Sequence, residues 1–206
     1  MQDRTSDGGL HERDCASDPF DQFARWFADW QAAAPIEPTA MTLATVDATG
    51  QPSARVVLLK GYDKQGFVFF TNYQSRKGLE LAAAPRAGLL FFWDRLARQV
   101  RVEGAVERVS AAESDEYFAT RPRGSQLGAW ASPQSRPIPD RDQLEAQVRE
   151  IEAETAGKPV ARPPHWGGYR VRPERFEFWQ GRESRLHDRI VYARSASGWT
   201  RSRIAP

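Results

Sequence analysis

Cysteine is almost missing from this 206-residue chain: Cys15 stands alone, so no internal disulfide can form and no thiolate cluster can hold a metal. The three histidines at 11, 165 and 187 are too far apart to make a ligand pair, and no metal site is expected. Long apolar runs are missing too. None approaches the roughly 20 residues that cross a bilayer, and the opening MQDRTSDGGLHERDCASD has no apolar region of the signal-peptide kind, so no membrane association is expected and the cytoplasm is the expected compartment. Charge of one sign is in short supply: the net charge is only +2, which argues against a chain that binds nucleic acid by bulk electrostatics. Neither G-x-G-x-x-G after a strand nor G-x-x-x-x-G-K-[ST] occurs, which excludes a dinucleotide fingerprint and a P-loop. Any phosphate must therefore be held by side chains and helix ends. Lysine is scarce, at 60, 64, 77 and 158 only, so 25 of the 29 basic residues are arginine, whose planar fork suits phosphates and carboxylates.

What is present reads as a packed globule. Hydrophobic residues make up 40% and aromatics 11%, with seven tryptophans, and the length suits one domain with a full core. The division expected is a flexible N-terminal arm over residues 1–17 and a single domain over 18–206. Asp18-Pro19 is a good helix start, and Phe20, Phe23, Phe27 and Trp30 then recur on one helical face. From Met41 the period becomes that of strands: MTLATVD, SARVVLLKGY, FVFFTN, AGLLFFW and RQVRVEGAVERV, separated by short polar turns. Helices are expected at SRKGLELAAA behind a Ser75 cap, from the Ser110-x-x-Glu113 capping box to about Arg121, and from Asp140 with Leu144, Val148 and Ile151 on its inner side. YRV, RFEFWQ and RLHDRIVYA close the chain. The pattern predicts a mainly β fold with flanking helices, an antiparallel meander closing into a barrel.

Several stretches carry chemistry. Ser75, Arg76 and Lys77 sit at a helix N-terminus, where free N–H groups and the dipole attract anions; the alternative is a solvated first turn. In RQVRVEGAV, Val100, Val102 and Val106 face inward and Gln99, Arg101 and Glu103 outward. Tyr117 and Arg121 lie four apart on one helix face, with Ser125 close behind, a combination that suits a small aromatic phosphate ester. In FWQGRESRLHDR, a strand from Leu186 to Tyr192 would put Arg185, His187 and Arg189 on one side, either a solvated face or part of a site.

Taken together, RVVLLK, TNYQSRKG, RQVRVEG, YFATRPRGSQLGAWAS, Gln134-Ser135 and FWQGRESRLHDR resemble the pyridoxine (pyridoxamine) 5'-phosphate oxidases, and the similarity runs from about Asp18 to the C-terminal IAP. The resemblance implies an FMN-binding split β-barrel and a homodimer with the flavin in the subunit interface. It implies oxidation of pyridoxamine or pyridoxine 5'-phosphate to pyridoxal 5'-phosphate, with oxygen as acceptor and hydrogen peroxide as by-product. It assigns FMN contacts to Arg55, Val56, Val57, Leu58, Leu59, Lys60, Phe70, Thr71, Arg76, Lys77, Gln99, Gln134, Ser135, Trp179 and Arg189. Substrate contacts fall to Lys60, Tyr117, Arg121 and Ser125 around the phosphate and to Arg185, Leu186 and His187 at the ring, with Arg185 and His187 in the catalytic roles. Two other readings keep part of this: a related flavin oxidase acting on a phenazine-type substrate, and a flavin- or pyridoxal-phosphate-binding module without turnover. The chain departs from the family pattern at Phe70, where a tyrosine is common, and in MQDRTSD before Gly8-Gly9-Leu10, which lacks the tyrosine of an R-R-x-Y-like segment.

Overall fold

The computed structural model describes residues 9–206; the departure read in MQDRTSD lies outside them. Asp18 caps the first helix as its sequence predicts, its carboxylate accepting from the Phe20 N–H at 2.8 Å, and helix α1 runs Pro19–Ala32. Strands β1 (Ala40–Val46), β2 (Pro52–Leu58), β3 (Gly61–Asp63) and β4 (Gly66–Asn72) follow, then α2 (Arg76–Ala83), β5 (Arg86–Trp93) and β6 (Arg98–Arg108). Three helices come next, α3 (Ala111–Thr120), α4 (Arg123–Ala131) and α5 (Arg141–Glu154), and then β7 (Trp166–Gln180), β8 (Asp188–Ser195) and β9 (Gly198–Arg203). All nine strands form one antiparallel sheet in the order β2-β1-β5-β6-β7-β4-β3, with β8 and β9 added beside the far end of β7. The mainly β architecture with flanking helices is the one the strand periodicity predicts. No helix among the described residues is long and apolar enough to cross a membrane.

The core lies between α1 and the sheet. Phe23 meets Phe67 and Phe91 edge-on at 4.9 and 5.0 Å, and Trp26 meets Phe178 at 5.3 Å; such contacts add to the burial of large apolar rings. In-register strand partners put Phe91, Val100, Phe178 and Ile190 in one row across β5, β6, β7 and β8, and all four are fully buried. Residues 9–17, part of the stretch expected as an arm, are laced to β8 and β9: Asp188 accepts from the Leu10 N–H at 3.0 Å, and the Tyr192 hydroxyl donates to the Ala16 carbonyl at 2.7 Å.

Three local expectations change. YRV and RFEFWQ are parts of one 15-residue strand, β7, because Pro173 lies opposite Gly104 at a β-bulge where a ladder N–H is not required. Residues 123–131 form helix α4, which two glycines and a preceding proline disguise in the sequence. The strand expected from Leu186 starts only at Asp188; before it, Glu183–Arg185 make a tight turn in which Ser184 and Arg185 take positive φ values of 53° and 61°. The one-face alternation of Arg185, His187 and Arg189 therefore does not arise from a strand.

Candidate functional site

The cations read from the sequence fall into two groups. The first surrounds a cavity of about 540 Å³ lined by Arg55, Val56, Val57 and Leu58 of β2, Lys60, Phe70 and Thr71 of β4, Lys77 of α2, Tyr117, Arg121, Ser125, Gln134 and Trp166. Leu59 is the exception in the Arg55–Lys60 run: its side chain is in the core and its N–H bonds the Thr39 carbonyl at 2.8 Å. One wall is aromatic, with Phe70 stacked on Tyr117 at 4.0 Å and on Trp166 at 5.5 Å. Gly168 makes room for it, since a Cβ there would stand 2.8 Å from the Phe70 ring.

Arg121 caps the end of α3, and its guanidinium lies over the Trp166 ring at 4.6 Å. Its Nη1 is buried and has no hydrogen-bond partner, and burial holds its pKa below the ordinary arginine value. A buried guanidinium nitrogen left unpaired is costly unless an anion joins it. Lys77 donates to Gln134 Oε1 at 2.8 Å and to Thr71 Oγ1 at 3.2 Å; burial first, and then the neighbouring Arg55, lower its pKa.

Glu80, which the sequence reading passed over, organises the back of this group. Its side chain is 4% exposed, and it bonds Arg76 Nε at 2.8 Å, Arg55 Nη2 at 3.2 Å, Ser53 Oγ at 2.7 Å and the Thr45 hydroxyl. Burial pushes its carboxyl up, but the hydrogen bonds from Thr45, Ser53 and Arg76 and the charge of Arg55 outweigh that and bring its pKa down to about 2. Arg76 and Ser135 lie on the other side of Glu80, in a separate hollow of about 460 Å³ with Gln74 and Arg136. The signal for Glu80 was available in the i, i+4 spacing from Arg76.

The second group lies on the open surface of β5 to β8. Strand register sets Phe92, Gln99, Trp179 and Arg189 side by side in one row, on the face opposite the buried Phe91 row. Arg189 is held by Glu177, another unforeseen buried carboxylate, with Nε and Nη2 at 2.9 and 2.8 Å from Oε1. Arg101 and Arg175 approach the same carboxylate at 3.5 and 3.8 Å. The His187 ring packs on Trp179 at 4.6 Å, and its Nδ1 accepts from the Arg182 N–H at 3.1 Å. Leu186, 70% exposed, and Phe92, 62% exposed, flank this surface, and Arg185 is exposed beside them.

No hydrogen bond or ring contact joins the two groups among the described residues. Phe70 pairs with Gly168 and Gln99 with Trp179 on the same strand β7; at roughly 3.3 Å per residue that is on the order of 35 Å of strand.

Known proteins resemble the chain along nearly its whole length. The family profile described as pyridoxamine 5'-phosphate oxidase matches residues 29–155, and that described as the pyridoxine 5'-phosphate oxidase C-terminal dimerisation region matches residues 166–206. A pyridoxine/pyridoxamine 5'-phosphate oxidase of Bordetella pertussis is 64% identical over 200 residues, covering 97% of this chain and 94% of the relative. One from Rubrobacter xylanophilus is 60% identical over 198 residues, covering 96% and 91%. Among solved structures, PhzG from Burkholderia lata in complex with tetrahydrophenazine-1-carboxylic acid superposes with a TM-score of 0.91 at 32% identity, covering 98% of this chain and 100% of that one. A pyridoxamine 5'-phosphate oxidase-related, FMN-binding protein of Nostoc punctiforme shares the fold, with a TM-score of 0.73 at 17% identity and coverage of 93% and 100%.

Proposed function

The chain belongs to the pyridoxamine 5'-phosphate oxidase family, and on that premise we propose that it oxidises pyridoxamine or pyridoxine 5'-phosphate to pyridoxal 5'-phosphate, with FMN as cofactor and oxygen as acceptor. The observation that carries the substrate reading is the unpaired, buried Nη1 of Arg121, in a cavity that also presents Lys60, Tyr117 and Ser125. A phosphate monoester supplies the missing acceptor as a charge-assisted contact, and the stacked Phe70–Tyr117–Trp166 wall suits a flat heterocycle beside it.

The residues present fit FMN. Arg55 and Lys77 line the same cavity, Lys77 from the first turn of α2, and together they suit the flavin phosphate; Arg76 lines the neighbouring hollow and reaches this pair only through Glu80. FMN supplies a two-electron acceptor at such a site, and oxygen regenerates it with release of hydrogen peroxide. Gln99, Trp179 and Arg189 are the proposed contacts to the flavin ring, with Arg185 and His187 over the substrate. Because His187 Nδ1 accepts from the Arg182 N–H, a neutral ring carries its proton on Nε2, where it can donate to the substrate's 3-oxygen. Arg185 then packs over the ring and holds the reacting carbon in place, a role in which small displacements are costly.

The same geometry supports a second copy of the chain at the site. The two groups are separated by far more strand than a tricyclic ring spans, and the match of residues 166–206 to a dimerisation region covers Trp179, Arg185, His187 and Arg189. We read the site as formed between the cavity of one copy and the open row of the other.

The test is peroxide release by the FMN-loaded protein with pyridoxamine 5'-phosphate, its dephosphorylated analogue and a dihydrophenazine carboxylate. Turnover restricted to the phosphate ester is expected. The likeness to PhzG favours the phenazine-type oxidase as the second reading, and turnover of the phenazine alone would establish it. Bound FMN without turnover of either would point to the binding module.

A further inference from the structure

The buried Glu80 touches neither of the surfaces to which substrate or flavin ring is assigned, yet it is the point where the phosphate cations meet. Arg55 comes from the edge strand β2 and Arg76 from the first turn of α2, and one carboxylate reaches both, with Thr45 and Ser53 hydroxyls completing its hydrogen bonds. Arg55 itself is held on several sides: Nη1 donates to the Leu43 carbonyl at 3.2 Å and to Thr45, and Nη2 to Ser53 and Glu80. A guanidinium fixed in this way has little freedom left to lose when it meets an anion.

We propose that Glu80 is a positioning residue of the phosphate site: standing between Arg55 and Arg76 it ties the two together, fixing Arg55 at the cavity wall, and gives the adjacent Lys77 a counter-charge. This rests on the reading that Arg55 and Lys77 receive the flavin phosphate. Lys77 shows why the counter-charge matters. It faces Arg55 from β2, Thr71 from β4, and Ser75 and Glu80 from its own helix region, with Gln134 across from it and Lys60, Tyr117 and Arg121 elsewhere on the cavity wall. Burial and Arg55 both disfavour its ammonium form, while Glu80 favours it. Glu80 is nearly inaccessible, so the same carboxylate supports the cations without offering itself as a rival ligand.

Glu80→Gln keeps the shape and removes the charge. Dissociation constants for FMN and for riboflavin, which lacks the phosphate, are measured by flavin fluorescence as a function of pH from neutral upward, because the Lys77 ammonium loses its proton below the ordinary lysine value. The expected result is FMN binding weakened about tenfold at neutral pH, in line with loss of one well-placed charge-assisted contact. Riboflavin binding stays within about twofold, and the alkaline loss of FMN affinity moves to lower pH than in the unaltered protein. Equal weakening of both flavins would mark Glu80 as merely structural, and unchanged or tighter FMN binding would mean that its repulsion of phosphate dominates; either overturns the proposal. An unaltered protein with no preference for FMN over riboflavin would instead sink the phosphate reading beneath it. Thr45→Val with Ser53→Ala, made in parallel, removes the hydroxyls that brace both Glu80 and Arg55 while keeping every charge. It should weaken FMN about threefold and spare riboflavin, and no change there would count against the proposal even if Glu80→Gln failed to fold.

Discussion

The cavity around Lys77 and Arg121 and the open row around Trp179 and Arg189 solve the same electrostatic problem with opposite shapes. Each gathers arginines on a buried glutamate, Glu80 in one and Glu177 in the other. The cavity is concave, its guanidinium at Arg121 retains an unpaired nitrogen, and helices α3 and α4 close over it. The row is a strand surface with Leu186 and Phe92 bare beside it. A concave charged pocket is competent to grip a small anion alone, whereas a flat charged and aromatic surface gains binding power only when another surface covers it. The proposed division of labour follows: phosphate groups in the cavity, ring systems between the cavity and the partner copy's row.

The sharpest way to break that comparison is to damage each region in a different chain. Arg121→Ala, in the cavity, should lower kcat/KM for pyridoxamine 5'-phosphate by a hundredfold or more, about 2.7 kcal/mol, with FMN retained. Mixed with Arg189→Ala, damaged in the row, it should recover about a quarter of full activity after subunit exchange, because half of the dimers are then mixed and each has one intact site. A mixture no more active than its parts would confine the site to one chain.

Within the row, Arg189→Ala should lose flavin first, with FMN affinity down ten- to a hundredfold by titration. It should also lower stability by roughly 1–3 kcal/mol, since Glu177 then loses its closest partner while buried. Arg185→Ala should keep FMN at near the original affinity and lower kcat/KM about tenfold, about 1.4 kcal/mol. Reversal of these two outcomes in parallel flavin titrations and steady-state assays would exchange the roles assigned along this surface.

Acid stability probes the cavity's glutamate. Glu80 titrates at about 2 in the fold against an ordinary 4.5, so its stabilising contribution is complete above the ordinary value and is lost as pH falls from there toward about 2. The gap in denaturant midpoint between the protein and Glu80→Gln should therefore close over that interval; a gap constant with pH would contradict the ionised buried carboxylate. The smallest effect is expected at Phe70→Tyr, less than about threefold in kcat/KM, because the stacked ring face rather than a hydroxyl forms the wall.

Local chemistry made much of this readable from the chain. Asp18, Ser75, Ser110 and Asp140 cap the helices they were expected to cap, each accepting from a backbone N–H in the first turn, and alternation placed Val100 and Val102 in the core. Motif resemblance picked out Lys77, Tyr117, Arg121 and Gln134, which do line one cavity. The tight turn at Ser184–Arg185 defeated the strand reading because positive φ at non-glycine residues has no strong local signature.

By itself, the sequence determined most of the strands and the capped helices, the surplus of arginine over lysine and the family of the chain, since periodicity, capping and motif spacing are local properties of the polymer. Only the tertiary structure decided that Arg55 and Arg76 share Glu80, that Arg189 belongs to Glu177, and that Phe70 pairs with one end of the long strand β7 whose other end carries Trp179. Those outcomes depend on which strands pair across the sheet and on which carboxylates lose their water when they do, and desolvation by distant segments leaves no mark on neighbouring residues in the chain.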